Sequence, residues 1–452
     1  MRHYIYILLA LVMVSLSSCS GDKYLNAIPK ESTALLSIDM QEVTKHASEG
    51  QTAQLLQSMF QVQDVKDCGL DLSSKVYLFE ASDGTLGLAV KVDDDDDLDD
   101  WLTRLSQKGI CQTPQKRRGM YFTVLKQQWV VGFNSDAMLV MGPVLPASQP
   151  DAMRQIMQNL NADEGIKDTP MYDKLQEISS PIALVAQAQA LPQQFIAPFT
   201  LGASADTDPK DVLIAASMTV SKGILRVDGN TFSFKPGVDK ALQTARKAFK
   251  PLTTKYISHV PSTALFSLMM NVPGPELLKM MQQNKGLLAL LAGVNQAIDL
   301  DNIIKSGKGD MAIAIPSFSD DNLQLAWASA LATDNFLKDV PYWKQSVPKG
   351  GRITDAGPRR WRYSGGGTSF TFGVTNDLQF YLGNNDEQAQ ALLHPASKPL
   401  NGNVQAIMKG ARICAVINLQ GVDKGSKPVV QVVSGMLKPL FGDIHTLVYV
   451  QR

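Results

Sequence analysis

Cysteine is scarce in this 452-residue chain. There are four, Cys19, Cys68, Cys111 and Cys414, with no CxxC pair and no spacing that suits a metal. That excludes a fold stapled by disulfides and a ribbon-type zinc centre. Of five histidines, His46, His259, His394 and His445 follow the leader, with no HExxH and no second His at helical spacing, so each reads as a surface or satisfied core residue. Neither sign of charge is in surplus, since 43 Lys plus Arg face 43 Asp plus Glu. A neutral chain has no spare cations to displace counterions from phosphates, which argues against nucleic acid as a partner. No GxSxG elbow or GxxxxGK[ST] loop occurs. What remains is 44% hydrophobic and 19% charged, the composition of a soluble globular body, and it is long enough for two or three domains.

The N-terminus is the most specific signal. Arg2 and His3 precede a mostly apolar run from Tyr4 to Leu16, then Ser17, Ser18 and Cys19. The run is shorter than the ~20 apolar residues of a spanning helix, and a positive start before an apolar stretch is a secretory leader. Leu16-Ser17-Ser18-Cys19 matches a lipobox, in which the thiol accepts a diacylglyceryl group and cleavage leaves Cys19 as the acylated N-terminus. Residues 1–18 are therefore expected to be a signal peptide, 19–23 a tether, and the membrane a partner through lipid on Cys19. Loss of residues 1–18 removes one counted charge, Arg2, leaving 42 basic against 43 acidic, so no polybasic patch adds to the hold of the acyl chains. An exported chain allows a Cys68–Cys111 disulfide, whereas the apolar run around Cys414 predicts a buried free thiol.

Comparing the chain with itself suggests that one unit is written twice. Tyr24, Ile28, Pro29, Ser32, Thr33, Ala34, Leu35 and Ser37 recur as Tyr256, Val260, Pro261, Ser262, Thr263, Ala264, Leu265 and Ser267. Gly132, Asp136 and Gly142 recur as Gly373, Asp377 and Gly383. Two matches in one order predict tandem modules at 24–240 and 250–452. Within them, strands are expected at 34–40, 75–81, 86–92, 120–125, 128–133, 137–141 and 182–190, with a hairpin at 212–227. Helices are expected at 51–61, 99–107 and 150–160. Asp228-Gly229-Asn230 and Gly307–Asp310 read as turns. Strands clustered in runs with helices between them predict an α+β fold of mostly antiparallel sheet.

A lipobox followed by Tyr24-x-x-x-Ile28-Pro29-x-x-Ser32-Thr33-Ala34-Leu35-Leu36-Ser37-Ile38-Asp39 resembles an uncharacterised family of Bacteroidetes lipoproteins, domain of unknown function 4836. The resemblance implies an exported, lipid-anchored, two-module protein of a gut- or mouth-type anaerobe, and it carries over no catalytic residues.

Three local features bear on chemistry. The run Asp93–Asp97, with Asp99 and Asp100, offers carboxylates to a hard cation, but counting from Asp93 the EF-hand Gly and Glu positions hold Leu98 and Arg104. A capped, Asp-rich helix start is the simpler account. Lys116-Arg117-Arg118 and Arg359-Arg360-Trp361-Arg362 suit a phosphate or an acidic sugar, or, more simply, a charged strand edge. Met269, Met270, Met280 and Met281 suit an adaptable groove or, more often, a core. No cofactor, metal or catalytic residue is nominated. The expected function is a non-enzymatic binding or scaffolding lipoprotein of the cell envelope, in the outer membrane, with an envelope protein or polymer as partner. The alternative is a hydrolase whose carboxylate pair, about 5–10 Å apart with one raised pKa, is assembled by folding.

Overall fold

Pro29 has no backbone N–H to give a ladder, and the mostly apolar run after it becomes β1 (Ala34–Ile38). The computed structural model describes residues 21–45, 57, 60–191, 196, 199–284, 288, 295, 297–316, 324–419 and 443–452. The leader, Cys19, His46, most of the helix expected at 51–61 and most of the apolar stretch 286–293 lie outside them. The chain divides into two units, residues Met1–Ala186 and Gln187–Arg452.

In the first unit β1 is joined by β2 (Val76–Glu80), β3 (Leu86–Lys91), β4 (Gln115–Arg117), β5 (Met120–Leu125), β6 (Trp129–Phe133), β7 (Ala137–Gly142) and β8 (Ile182–Gln187). The strands pair antiparallel in the order β8-β1-β2-β3-β7-β6-β5-β4. Register gives the sheet two ends. Ile38 aligns with Val76 and Ile182, and Lys91 with Ala137; at the other end Ala34 aligns with Glu80 and Ala186, and Leu86 with Gly142. Helix Asp95–Gln107 buries Leu98, Leu102 and Leu105, and helix Gln149–Leu160 buries Ala152, Ile156 and Leu160, the spacing of one helical face.

The second unit holds β9 (Leu213–Ser221), β10 (Ile224–Phe232), β11 (Phe266–Asn271), β12 (Gly307–Ile315), β13 (Ala326–Leu331), β14 (Arg352–Gly357), β15 (Arg360–Gly365), β16 (Thr368–Val374), β17 (Gln379–Gly383), β18 (Ile413–Asn418) and β19 (Thr446–Gln451). Their order is β9-β10-β19-β18-β11-β12-β13-β17-β16-β15-β14, with β10–β19 the one parallel pairing among the described residues. From β18 to β14 this is the pairing order of β8 to β4 in the first unit. Trp327, Trp343, Phe372 and Phe380 sit in one core of this unit; Tyr256, Val260, Cys414 and Val448 sit in another. The fold is α+β with mostly antiparallel sheet.

Several local expectations change. The unit boundary falls at 186/187 rather than at 240–250, because the hairpin at 213–232 pairs with β19. Asp228-Gly229-Asn230 is the interior of β10, not a turn. Gly229 is there because a Cβ would stand 2.8 Å from the Tyr449 ring, whose hydroxyl donates to the Gly229 carbonyl at 3.1 Å. Gly307–Asp310 opens β12 rather than preceding it, with a register shift between Gly307 and Met311. The acidic helix begins at Asp95, four residues earlier than periodicity placed it. The strand from Ile182 ends at Gln187 and tightens into a 3-10 turn over Ala188–Ala190. Cys68, Cys111 and Cys414 are free and buried, so the Cys68–Cys111 disulfide is not formed.

Candidate functional site

The described chain starts two residues past Cys19 and is docked almost at once. The 3-10 helix Lys23–Ala27 buries Tyr24, Leu25 and Ala27, and Ile28 follows them into the interior. Tyr24, only 4% exposed, donates its hydroxyl hydrogen bond to the Lys75 carbonyl at 3.0 Å. Its ring lies 6.0 Å from that of Tyr77, which lies 6.3 Å from that of Tyr172. On the other side of the helix, Asn26 Nδ2 donates to the Asp163 carbonyl at 2.8 Å and the Ile166 amide donates to Ile28 O at 2.9 Å. Contact there is backbone on backbone: a Cβ on Gly165 would stand 2.4 Å from Asn26 Cα.

Burial is the main force on the three phenols. It pushes Tyr77 up to about 12, and it raises Tyr24 and Tyr172, with nearby carboxylates such as Asp22 adding to the effect. Phenols so raised stay protonated at neutral pH and serve as hydrogen-bond donors, not bases. Asp71 behaves oppositely. Burial works against its charge, yet hydrogen bonds from Ser73, Lys91 and Ser74 outweigh it and hold the carboxyl well below the usual range. Asp71 accepts from the Ser73 amide at 2.9 Å, the Ser74 hydroxyl at 3.0 Å and Lys91 Nζ at 2.9 Å. The loop 71–75 beside Tyr24 is thereby clamped. Sequence reading found Tyr24 through its repeat but missed this cluster, whose other members carry no local signal.

The acidic run caps a helix. Asp94 accepts from the amides of Asp96 and Asp97, each at 3.0 Å, and Asp95, Asp96 and Asp97 fill the first turn where the helix dipole favours them. Among the described residues no three His, Cys, Asp or Glu side chains gather as a metal set. Among the described residues, Asp99 and Glu80 are the carboxyls pushed up. For Asp99 the causes are burial and then its neighbours Asp100 and Asp96; for Glu80 burial alone, eased by Thr33. Neither is among the groups acting on the other, so the two lend no support to a paired-carboxylate hydrolase.

The two basic clusters differ. Lys116 and Arg117 lie exposed on β4, which pairs only with β5 among the described residues, and Lys116 Nζ stands 3.0 Å from the Tyr121 hydroxyl. In the second unit the cations are engaged. Arg359 bridges Asp334 at 2.5 Å, Arg362 bridges Asp386 at 2.7 Å, and Arg360 donates to the Ala356 carbonyl. These half-exposed pairs hold loops together rather than present a free anion site. The four methionines are core: Met270, Met280 and Met281 pack with Trp327, and Met269 with Cys414. A small, mostly apolar cavity is lined by Val272, Leu277, Ile303, Met311, Trp327 and Leu331, with Ser329 its one hydroxyl side chain and no carboxylate. Cys414, wholly enclosed, has its thiol pushed up to about 12 by burial and is unreactive. His259 meets the Leu392 carbonyl and His445 the Thr446 hydroxyl, each at 2.8 Å, as satisfied residues do.

No curated protein matches this sequence. Among solved structures, crystal form IV of TP0453 is similar at 11% identity over 47% of this chain and 81% of that one, with a TM-score of 0.29. Crystal form III of the same protein is similar at 8% identity over 82% of this chain and 96% of that one, with a TM-score of 0.26. A family model, Domain of unknown function (DUF4836), matches residues 24–434, beginning at the docked Tyr24 and running through both units. The chain belongs to the DUF4836 family.

Proposed function

We propose that the protein is a Bacteroidetes envelope lipoprotein, anchored in the outer membrane by acyl chains on Cys19. Its body, built from duplicated modules, acts as a non-enzymatic binding or scaffolding element for an envelope protein or polymer. The observation that carries this reading is Leu16-Ser17-Ser18-Cys19 placed directly after an apolar leader. Two or three acyl chains suffice for stable anchoring, since each buried methylene is worth about 0.8 kcal/mol, and the neutral body needs no electrostatic help.

The test is metabolic labelling with an alkyne palmitate analogue in the native host. The mature protein should carry the label and sediment with membranes, and Cys19→Ala should lose both properties. An unlabelled protein, or label retained by Cys19→Ala, would overturn the anchor.

A further inference from the structure

The tether is short, and it enters the first unit at one identifiable end of the sheet. Tyr24 is the fifth residue after Cys19 and is already buried. Five residues reach at most about 18 Å when fully extended. Tyr24 docks beside Lys75, which leads into β2 next to the aligned set Ile38, Val76 and Ile182. The same end carries the Asp71 clamp and the turn Asn134–Asp136, where the Val92 amide donates to the Asp136 carbonyl. From Tyr24 the chain crosses to the other end, where the Thr33 amide donates to the Glu80 carbonyl. That far end holds the Ser82–Gly84 turn between β2 and β3, and the loop after Gly142 with Leu145, 75% exposed.

We propose that the Ile38 end of the first unit is its lipid-facing surface, held against the bilayer by the tether, and that the Ala34 end, with Leu145, points away from the lipid. This rests on the acylation of Cys19 proposed above. The near end carries no basic excess: Asp22, Asp39, Asp71, Asp93 and Asp136 lie in the segments there with Lys23, Lys75 and Lys91, and Lys91 pairs with Asp71. Orientation therefore comes from tether length and the docking of Tyr24, not from attraction to anionic headgroups. The two ends are separated by about one strand, near 20 Å along the strand direction.

The experiment uses the full acylated protein in phosphatidylcholine vesicles doped with a headgroup-nitroxide lipid. Single thiols are introduced as Ser135→Cys at the near end and Ser82→Cys at the far end, both exposed, and labelled with a fluorophore; Cys68, Cys111 and Cys414 are buried. Quenching at position 135 should exceed that at position 82 by about twofold or more, given a short-range quencher and a strand length between the sites. Inserting about ten Gly/Ser residues after Gly21 should erase the difference, because a flexible linker of that length no longer dictates which end approaches. Equal quenching in the short-tether protein, or stronger quenching at 82, overturns the orientation. A difference that survives the long tether overturns the tether as its cause. If neither site is quenched and mass spectrometry finds Cys19 unmodified, the anchor itself fails and the orientation with it.

Discussion

Removing the Tyr24 side chain tests whether the segment after the tether is part of the first unit's core. The ring is almost wholly enclosed and touches Tyr77, while its hydroxyl satisfies the Lys75 carbonyl. Tyr24→Phe keeps the ring and loses one hydrogen bond, a cost of about 1 kcal/mol. Tyr24→Ala also loses the buried ring and leaves a cavity beside Tyr77, a cost of about 3–5 kcal/mol. The assay is urea unfolding followed through tryptophan emission, with amide exchange on β1 and β8 assigning the loss to the first unit. Phe and Ala should separate clearly, with unchanged protection in β11 and β18. If Tyr24→Ala unfolds within about 0.5 kcal/mol of the parent, residues 23–28 are not docked and the orientation inferred from them loses its base.

Two further outcomes follow from the same geometry. Asp71 has a depressed pKa in the folded state, so its contribution is fully present above the unfolded value of about 3.9 and is lost as pH falls through the folded value. Asp71→Asn should therefore cost most near neutrality, about 2 kcal/mol for the charged hydrogen bonds, and the gap from the parent should narrow as urea midpoints are measured toward pH 3. Asp94→Ala should cost about 1 kcal/mol as a lost cap, whereas Asp96→Asn should cost only about 0.3–0.5 kcal/mol as a lost dipole contact. Thermal melts with and without calcium check this, and a calcium-dependent rise in melting temperature abolished by Asp96→Asn would return the run to cation binding.

How much was legible in the sequence depended on the range of the forces involved. β1, the meander β5–β7 and the helix over 149–160 follow from side-chain periodicity, which is local, and they formed within a residue or two of expectation. That the acidic run caps a helix was legible for the same reason, since Asp94's amide partners are two and three residues away, although the helix was expected to start at 99 and the capping aspartate was not singled out. Asp228-Gly229-Asn230 misled because its turn composition is local, while the reason for Gly229 is a tyrosine 220 residues later.

The sequence by itself determined the α+β class, the neutral body and the family; it also carries the acylation motif on which the proposed anchor rests. Each is written in contiguous residues or in totals that folding does not change. Only the tertiary structure decided that the hairpin at 213–232 belongs with β19, that Tyr24 sits with Tyr77 and Tyr172, and that Asp71 is clamped by Lys91. Those associations join segments tens to hundreds of residues apart. Their free energy comes from burial and from satisfying buried polar groups, which exist only once the sheets have closed.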